Sequence, residues 1–388
     1  MISSYPTHDT PLVADQIRVM LVDDSAVIRG LLARSLEADP DIRIVASVGD
    51  GMMALSAVQR HEIDVMVLDI EMPNMDGMTA LPKILKVAPH IKIIMASTLT
   101  RRNAEISIKA LENGAADYLT KPSSMRELDS AEAFKRDLRA KIRALGLSIH
   151  RKSRHRTRTP ISRADRLYLP SSTSSIDATG KIALRPMPTA TPRAIAIGAS
   201  TGGPQALLDV LGHLGNNIHQ PVFLTQHMPA TFTTILAEHI TRKCGISCAE
   251  ARDGESVEGG RIYLAPGDYH MTFRRTESQA VISLNQNAPE NYCRPAVDPM
   301  LRSAVDVFGS RVLTTILTGM GRDGLKGCQA VVDAGGAVLA QDEKTSVVWG
   351  MPGSVATAGL CSAVLPVQEI GPVLFDLAGG SDKQREPA

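Results

Sequence analysis

From Arg18 to about Leu138 the chain alternates short apolar runs with stretches of helical periodicity. Arg18-Val19-Met20-Leu21-Val22, Ile42 to Val48, Val65-Met66-Val67-Leu68, Lys92-Ile93-Ile94-Met95 and Ala116-Asp117-Tyr118-Leu119 read as buried strands. Between them Val27, Ile28, Leu31, Leu32 and Leu36 share one helical face, and residues 52–60, 104–113 and 125–138 carry the same spacing. Strand and helix alternate five times, which predicts a doubly wound parallel sheet over residues 18–136.

Periodicity fades over residues 137–192, where Arg, Ser, Thr and Pro dominate and the run Arg151-Lys152-Ser153-Arg154-His155-Arg156-Thr157-Arg158 is strongly basic. This composition predicts a flexible, disordered linker. A second α/β unit follows over residues 193–380. Ala194-Ile195-Ala196-Ile197 runs into Gly198-Ala199-Ser200-Thr201-Gly202-Gly203-Pro204 and a helix-patterned stretch at 205–214, which reads as strand, turn and helix. Pro221-Val222-Phe223-Leu224-Thr225 and Val312-Leu313-Thr314-Thr315-Ile316-Leu317 are further buried strands. Residues 231–242, 299–308 and 328–334 look helical, and 261–272 reads as β structure broken at Pro266-Gly267-Asp268. The C-terminal stretch 379–388 has no assignable pattern.

Composition narrows the class. A chain of 388 residues suits two or three domains, and 44% hydrophobic residues with only 3% aromatics predicts aliphatic cores. A formal charge of +1 gives no overall pull toward nucleic acid or an anionic membrane. The basic run lacks the interleaved aromatics of a nucleic-acid arm, so no nucleic-acid partner is expected. Cys244, Cys248, Cys293, Cys328 and Cys361 form no paired framework, and no ligand group accompanies Cys244 and Cys248 at metal spacing. No stretch approaches ~20 unbroken apolar residues, and Met1 to Thr10 lacks a secretory pattern. A cytoplasmic protein without membrane insertion is expected.

In parallel sheets ligands sit beyond the carboxyl ends of the strands. In the first unit those ends carry Asp23, Asp24, Asp69, Ser97 and Lys121. Clustered carboxylates repel one another and suit a hard divalent cation such as Mg²⁺, which with the Lys121 ammonium would neutralise a phosphoryl group attacked by Asp69. In the second unit Ser200 lies in a Gly-x-Ser-x-Gly bend, and His227 and Asp323 follow two other strands. An imidazole able to take the Ser200 proton, oriented by Asp323, is what nucleophilic catalysis requires. The order Ser…His…Asp differs from that of ordinary α/β-hydrolases, leaving a different hydrolase scaffold or a coincidence of strand ends.

Val22-Asp23-Asp24-Ser25, Leu68-Asp69-Ile70-Glu71-Met72-Pro73-Asn74-Met75-Asp76-Gly77 and Lys121-Pro122 resemble the receiver domain of two-component response regulators. That resemblance implies a flavodoxin-like fold with Asp69 as phospho-acceptor. Mg²⁺ would be held by Asp23 or Asp24, Asp69 and the backbone carbonyl of Glu71, with Ser97 and Tyr118 as a switch pair. The blocks 198–204, Gln226-His227-Met228-Pro229, 260–267, 318–324 and Gly350-Met351-Pro352-Gly353 resemble the catalytic domain of chemotaxis protein-glutamate methylesterases, a Rossmann-like hydrolase. What this implies is a Ser200–His227–Asp323 triad with the Met320 backbone N–H in an oxyanion hole and no cofactor for the esterase chemistry. Glutamate methyl esters of chemoreceptors would be hydrolysed to carboxylate and methanol, and certain glutamines deamidated, under control of a histidine kinase as phosphodonor. The same chemistry on another protein in a non-chemotactic array, a non-catalytic phospho-switched adaptor and a transcriptional regulator are the alternative functions. The last lacks any helix-turn-helix pattern. Both units carry their working groups at one sheet edge and the linker tethers them, so an unphosphorylated receiver resting on the edge with Ser200, His227 and Asp323 would exclude a bulky protein substrate.

Overall fold

The computed structural model describes residues 16–98, 100–121, 128–157, 182–215, 218–277 and 279–380. The N-terminal segment 1–10, Pro122, the first residues of the helix expected at 125–138, linker residues 158–181 and the tail from 381 onward lie outside them.

The first sheet has strands β1 (Ile17–Val22), β2 (Ile42–Val48), β3 (Val65–Asp69), β4 (Lys92–Thr98) and β5 (Asp117–Lys121), all parallel, in the order β2-β1-β3-β4-β5. Its helices are α1 (Ala26–Glu37), α2 (Gly51–Val58), α3 (Gly77–Val87), α4 (Arg101–Glu112) and α5 (Leu128–Thr157). Strand side chains divide with period two. Met20, Val22, Met66 and Leu68 pack with α2, α3 and α4, whereas Val19, Leu21, Val65 and Val67 pack with Leu32 and Leu36 of α1 and with α5. Burial on both faces explains the unbroken apolar strands.

The second domain contains β6 (Ala194–Ala199), α6 (Gly203–Leu211), β7 (Val222–Gln226), α7 (Ala230–Cys244), β8 (Cys248–Glu250), β9 (Ile262–Leu264), the antiparallel hairpin β10 (His270–Arg275) and β11 (Ala280–Asn285), and α8 (Val297–Phe308). It continues through β12 (Val312–Ile316), α9 (Leu325–Asp333), β13 (Ala337–Gln341), α10 (Met351–Thr357), β14 (Ala363–Leu365) and α11 (Val367–Leu377). Seven strands form a parallel sheet in the order β14-β13-β12-β6-β7-β9-β8. Ile195 and Ile197 face α6, α7 and α11, and Ala194 and Ala196 face α8, α9 and α10. Both units are therefore doubly wound α/β sheets.

The two domains touch along a continuous surface. The ring of Tyr118 on β5 stacks on Phe232 of α7, with centroids 4.3 Å apart and planes 13° from parallel. Arg101 at the start of α4 bonds Glu238, and Glu112 at its end meets His239 and Lys243, all three on α7. Met320, Val347 and Val348 of the second domain pack against the apolar cluster on the α1/α5 face of the first sheet.

The region 137–192 was expected to be a disordered linker, yet α5 continues to Thr157, and from Arg185 the chain lies along the second domain. Arg185 N donates to Cys361 O at 2.8 Å, and Arg311 Nε donates to Thr191 O at 2.9 Å. The helix persists because Leu138, Ile142 and Leu145, spaced i, i+4 and i+7, are fully buried on the first sheet. Gly146 then lets α5 approach Ile17, whose side chain a Cβ at that position would strike. Leu138, Ile142, Leu145 and Ile149 carry helical spacing, but the many Arg and Lys residues around them and the Ser-, Thr- and Pro-rich stretch that follows outweighed it. Ile142→Ala is expected to destabilise the full chain by about 2–5 kcal/mol in denaturant unfolding, a cost no disordered linker position would carry.

Candidate active site

Each sheet reverses its winding once, and both clusters of chemistry lie at those crevices. In the first sheet the reversal falls between β1 and β3, so Asp23 and Asp24 after β1 face Asp69 at the end of β3. Capping roles do not explain these carboxylates, because Ser25, Asp50, Asp76 and Thr100 cap α1 to α4. One oxygen from each of Asp23, Asp24 and Asp69 lies within 4.8 Å of the others. Lys121 Nζ bridges Asp23 Oδ2 at 2.6 Å and Asp69 Oδ1 at 2.7 Å. Burial pushes the Asp69 carboxyl above its ordinary value although the Lys121 ammonium opposes it. Three hard oxygen donors beside one ammonium fit a divalent cation and an incoming phosphoryl group. The carbonyl of Glu71 accepts no hydrogen bond among the described residues. Ser97 Oγ is buried against Ser107 Oγ at 3.2 Å, while the Tyr118 ring sits in the domain interface.

In the second sheet the reversal falls between β6 and β12. The turn after β6 is set by its glycines. Gly202 has φ +77°, and a Cβ at Gly203 would collide with Gln226 Oε1 and Ala199. Ser200 N donates to Thr318 O at 3.0 Å, and Ser200 O accepts from Gly203 N at 2.7 Å and Gln226 Nε2 at 2.9 Å. The backbone is thus fixed, and the hydroxyl, half-buried, makes no hydrogen bond to His227 among the described residues. Gly319 lies against Ser200, where a Cβ would contact the serine Cβ at 2.9 Å. The N–H groups of Met320 and Thr201 donate to no acceptor among the described residues.

His227 follows β7, and its Nε2 donates to Asp323 Oδ2 at 2.8 Å. Asp323 is buried and also accepts from Val297 N at 2.6 Å, Gly324 N at 2.9 Å, Asp298 N at 3.2 Å and Asn291 Nδ2 at 2.9 Å. Burial pushes this carboxyl up, but His227 and the amides opening α8 hold it below its ordinary value. Burial pulls the His227 imidazole down, yet Cys293 and Asp323 together lift it to about 10. The structure therefore joins His227 and Asp323 directly and brings Ser200 to the same sheet edge without a bond to the imidazole.

Several neighbours were not found from sequence. Asn291 and Cys293 lie in an irregular loop with no periodicity, where Asn291 and Tyr292 take φ of 52° and 65°. Cys293 Sγ stands 3.4 Å from His227 Nδ1. Thr201, beside the serine, donates from Oγ1 to Asp117 Oδ2 of the first domain at 2.6 Å. The positive φ of Tyr292 is a strained conformation for a bulky residue, but strain of this kind has no sequence signature.

Fold and site together define a response regulator whose output is an α/β domain bearing a Ser, His and Asp edge. Residues 19–132 match the response regulator receiver domain and residues 195–374 the CheB methylesterase domain. A protein-glutamate methylesterase/protein-glutamine glutaminase of group 2 operon from Rhodospirillum centenum is 57% identical over 374 residues, covering 94% of this chain and 95% of the relative. A protein-glutamate methylesterase/protein-glutamine glutaminase from Azospirillum brasilense is 58% identical over 368 residues, covering 94% and 93%. The crystal structure of the Thermotoga maritima CheB methylesterase catalytic domain is 39% identical with a TM-score of 0.47, covering 48% of this chain and all (100%) of that one. The chain belongs to the protein-glutamate methylesterase/protein-glutamine glutaminase family.

Asp323→Ala strips the buried partner from His227, Asn291 and the α8 amides at once. We expect it to cost about 3–5 kcal/mol near neutral pH in denaturant unfolding. Because the folded-state carboxyl is depressed, its stabilisation is present above the unfolded pKa and is lost as pH falls through the folded value. The gap between parent and variant should therefore shrink in acid.

Proposed function

We propose that this protein is a phosphorylation-activated serine esterase that hydrolyses glutamate methyl esters of chemoreceptors and deamidates particular receptor glutamines. The observation that carries the reading is the His227–Asp323 hydrogen bond on the sheet edge that also bears the Ser200 turn, in a chain aligned with methylesterase relatives over 94% of its length. Ser200 Oγ attacks the ester carbonyl carbon while its proton passes to His227 Nδ1. The tetrahedral oxyanion is met by the Met320 N–H, joined by that of Thr201, where one lost donor typically costs ~3 kcal/mol of barrier. His227 returns the proton to the leaving methoxide, and methanol departs. Water, deprotonated by the same imidazole, then attacks the acyl-serine and releases the glutamate carboxylate. With a glutamine substrate ammonia leaves in place of methanol.

On the first domain, Asp69 takes a phosphoryl group from a histidine kinase. Asp23, Asp24, Asp69 and the Glu71 carbonyl would hold Mg²⁺, which when bound neutralises phosphoryl oxygens. Lys121, already paired with both buried aspartates, would shift toward the phosphoryl group. Ser97 and Tyr118 form the switch pair. Drawing Tyr118 toward Ser97 takes its ring off Phe232 and loosens a surface that covers the Ser200 turn. The unphosphorylated receiver is thus the mask that excludes a receptor from the site. A cytoplasmic location follows from these partners, and the five free thiols suit a reducing compartment.

The reading is tested by mass spectrometry of a methylated receptor fragment before and after incubation with the phosphorylated chain. Loss of methyl groups with release of methanol is expected, and an unchanged fragment would contradict it. Ser200→Ala should lower the rate by several orders of magnitude while leaving the fold intact. With a small phosphodonor and Mg²⁺ the parent should gain one acid-labile phosphoryl group. Asp69→Asn should gain none, and label found elsewhere on a peptide map would displace Asp69 from this role.

A further inference from the structure

His227 has two nitrogens, and both are engaged. Asp323, an ionised carboxylate in a shell of N–H donors, can only accept, so Nε2 carries the proton between them. Nδ1 is then the only nitrogen that could take a proton from Ser200. It faces Cys293 Sγ at 3.4 Å and not the serine hydroxyl. A thiol that donates its proton to Nδ1 takes up the lone pair that Ser200 would need.

We propose that Cys293 is a positioning residue that holds the proton-accepting nitrogen of His227 in reserve, so that this base becomes available to Ser200 only when the Cys293 loop moves. This rests on the reading of His227 as the base of the esterase. The loop is tied at both ends of its function. Asn291, two residues before Cys293, donates to both Asp323 Oδ1 and Asp298 Oδ2, so the same segment grips the carboxylate and the imidazole. Tyr292 projects into solvent, where the Arg136 guanidinium of α5 lies over its ring at 5.3 Å. Lys141, also on α5 and partly buried, feels Asp117 and Asp137 and, more weakly, Cys293. The receiver therefore touches the loop that occupies the base at Tyr292, and its departure would remove that contact.

Among the described residues the titratable groups acting most strongly on the imidazole are Cys293, on the loop before α8, and Asp323, on the turn between β12 and α9. Lys141 of α5, whose ammonium is favoured in part by Cys293, is the charged group on the receiver side. A partner that can carry negative charge favours the imidazolium, in keeping with a His227 held at about 10. A ring raised in this way is a poorer proton acceptor near neutral pH. Removing the thiol should bring the ring back toward the range where it accepts a proton.

The test uses the full unphosphorylated chain with Cys293→Ala and Cys293→Ser, the second keeping a hydroxyl that does not ionise in this range. NMR titration of the His227 imidazole reads the contact directly, and the pH dependence of kcat on a short peptide carrying a glutamate methyl ester, small enough to enter without the receiver moving, reads its consequence. Both variants should titrate at least about one pH unit lower than the parent, with the acid limb of kcat moving down alongside and KM little changed. An unmoved midpoint in both variants, or a folded and active variant with the parent's acid limb, overturns the proposal. A shifted midpoint in a chain that never demethylates a receptor leaves the Cys293 assignment standing and removes the methylesterase reading.

Discussion

The Asp117 carboxylate is buried between the two domains, and stripping such an ion of its hydration costs several kcal/mol. Three partners offset that cost. Thr201 donates from Oγ1 at 2.6 Å, the Tyr118 N–H donates at 2.8 Å, and Lys141 Nζ lies 3.0 Å away. Burial pulls the Lys141 ammonium down, but Asp117 and Asp137 more than restore it. Lys141 also donates to Tyr118 O at 2.8 Å and lies 5.0 Å from the centre of that ring. A carboxylate and an ammonium from the receiver are thus neutralised together at the residue that follows the serine. Separating the domains exposes both to water, so the contact opposes its own loss far less than an apolar interface of equal area would.

That balance suits a switch. A change of ~1.4 kcal/mol in docking alters the ratio of open to closed forms tenfold. The Tyr118–Phe232 stack and the Thr201 hydrogen bond lie next to each other in sequence on the receiver side, at Tyr118 and Asp117. A displacement of β5 in the proposed phosphorylated state therefore bears on both at once. No long pathway is needed, since the sheet of the proposed phospho-acceptor supplies the docking residues. The sheets' topology accounts for the proximity, because each gathers its polar groups at the carboxyl ends of parallel strands and the second sheet presents its Ser200 turn to the first domain.

Much of this was legible in the sequence because buried parallel strands write themselves as β-branched runs that stop at polar residues. Asp23, Asp69, Ser97, Lys121, Ser200, His227 and Asp323 could each be put at a strand end on that signal alone. The last two strands, β13 and β14, were missed because Ala337–Gln341 and Ala363–Leu365 each carry a single β-branched residue, Val338 and Val364, and β14 is only three residues long. The length of α5 was missed because its buried stripe is only three residues wide in a basic segment. Asn291, Cys293 and the Asp117–Lys141 pair act across elements far apart in the chain, and nothing local to them marks such contacts.

Masking of the Ser200 edge by the receiver is the claim on which regulation depends. Its most direct measurement is the initial rate of receptor demethylation by unphosphorylated Asp117→Ala, set beside the unphosphorylated and phosphorylated parent. Loss of the carboxylate leaves Lys141 without its main partner in the interface and frees Thr201. The variant should demethylate the receptor faster than the unphosphorylated parent, approach the phosphorylated parent, and gain little from added phosphodonor. A folded variant no faster than the unphosphorylated parent, and still fully activated by phosphodonor, would contradict the mask.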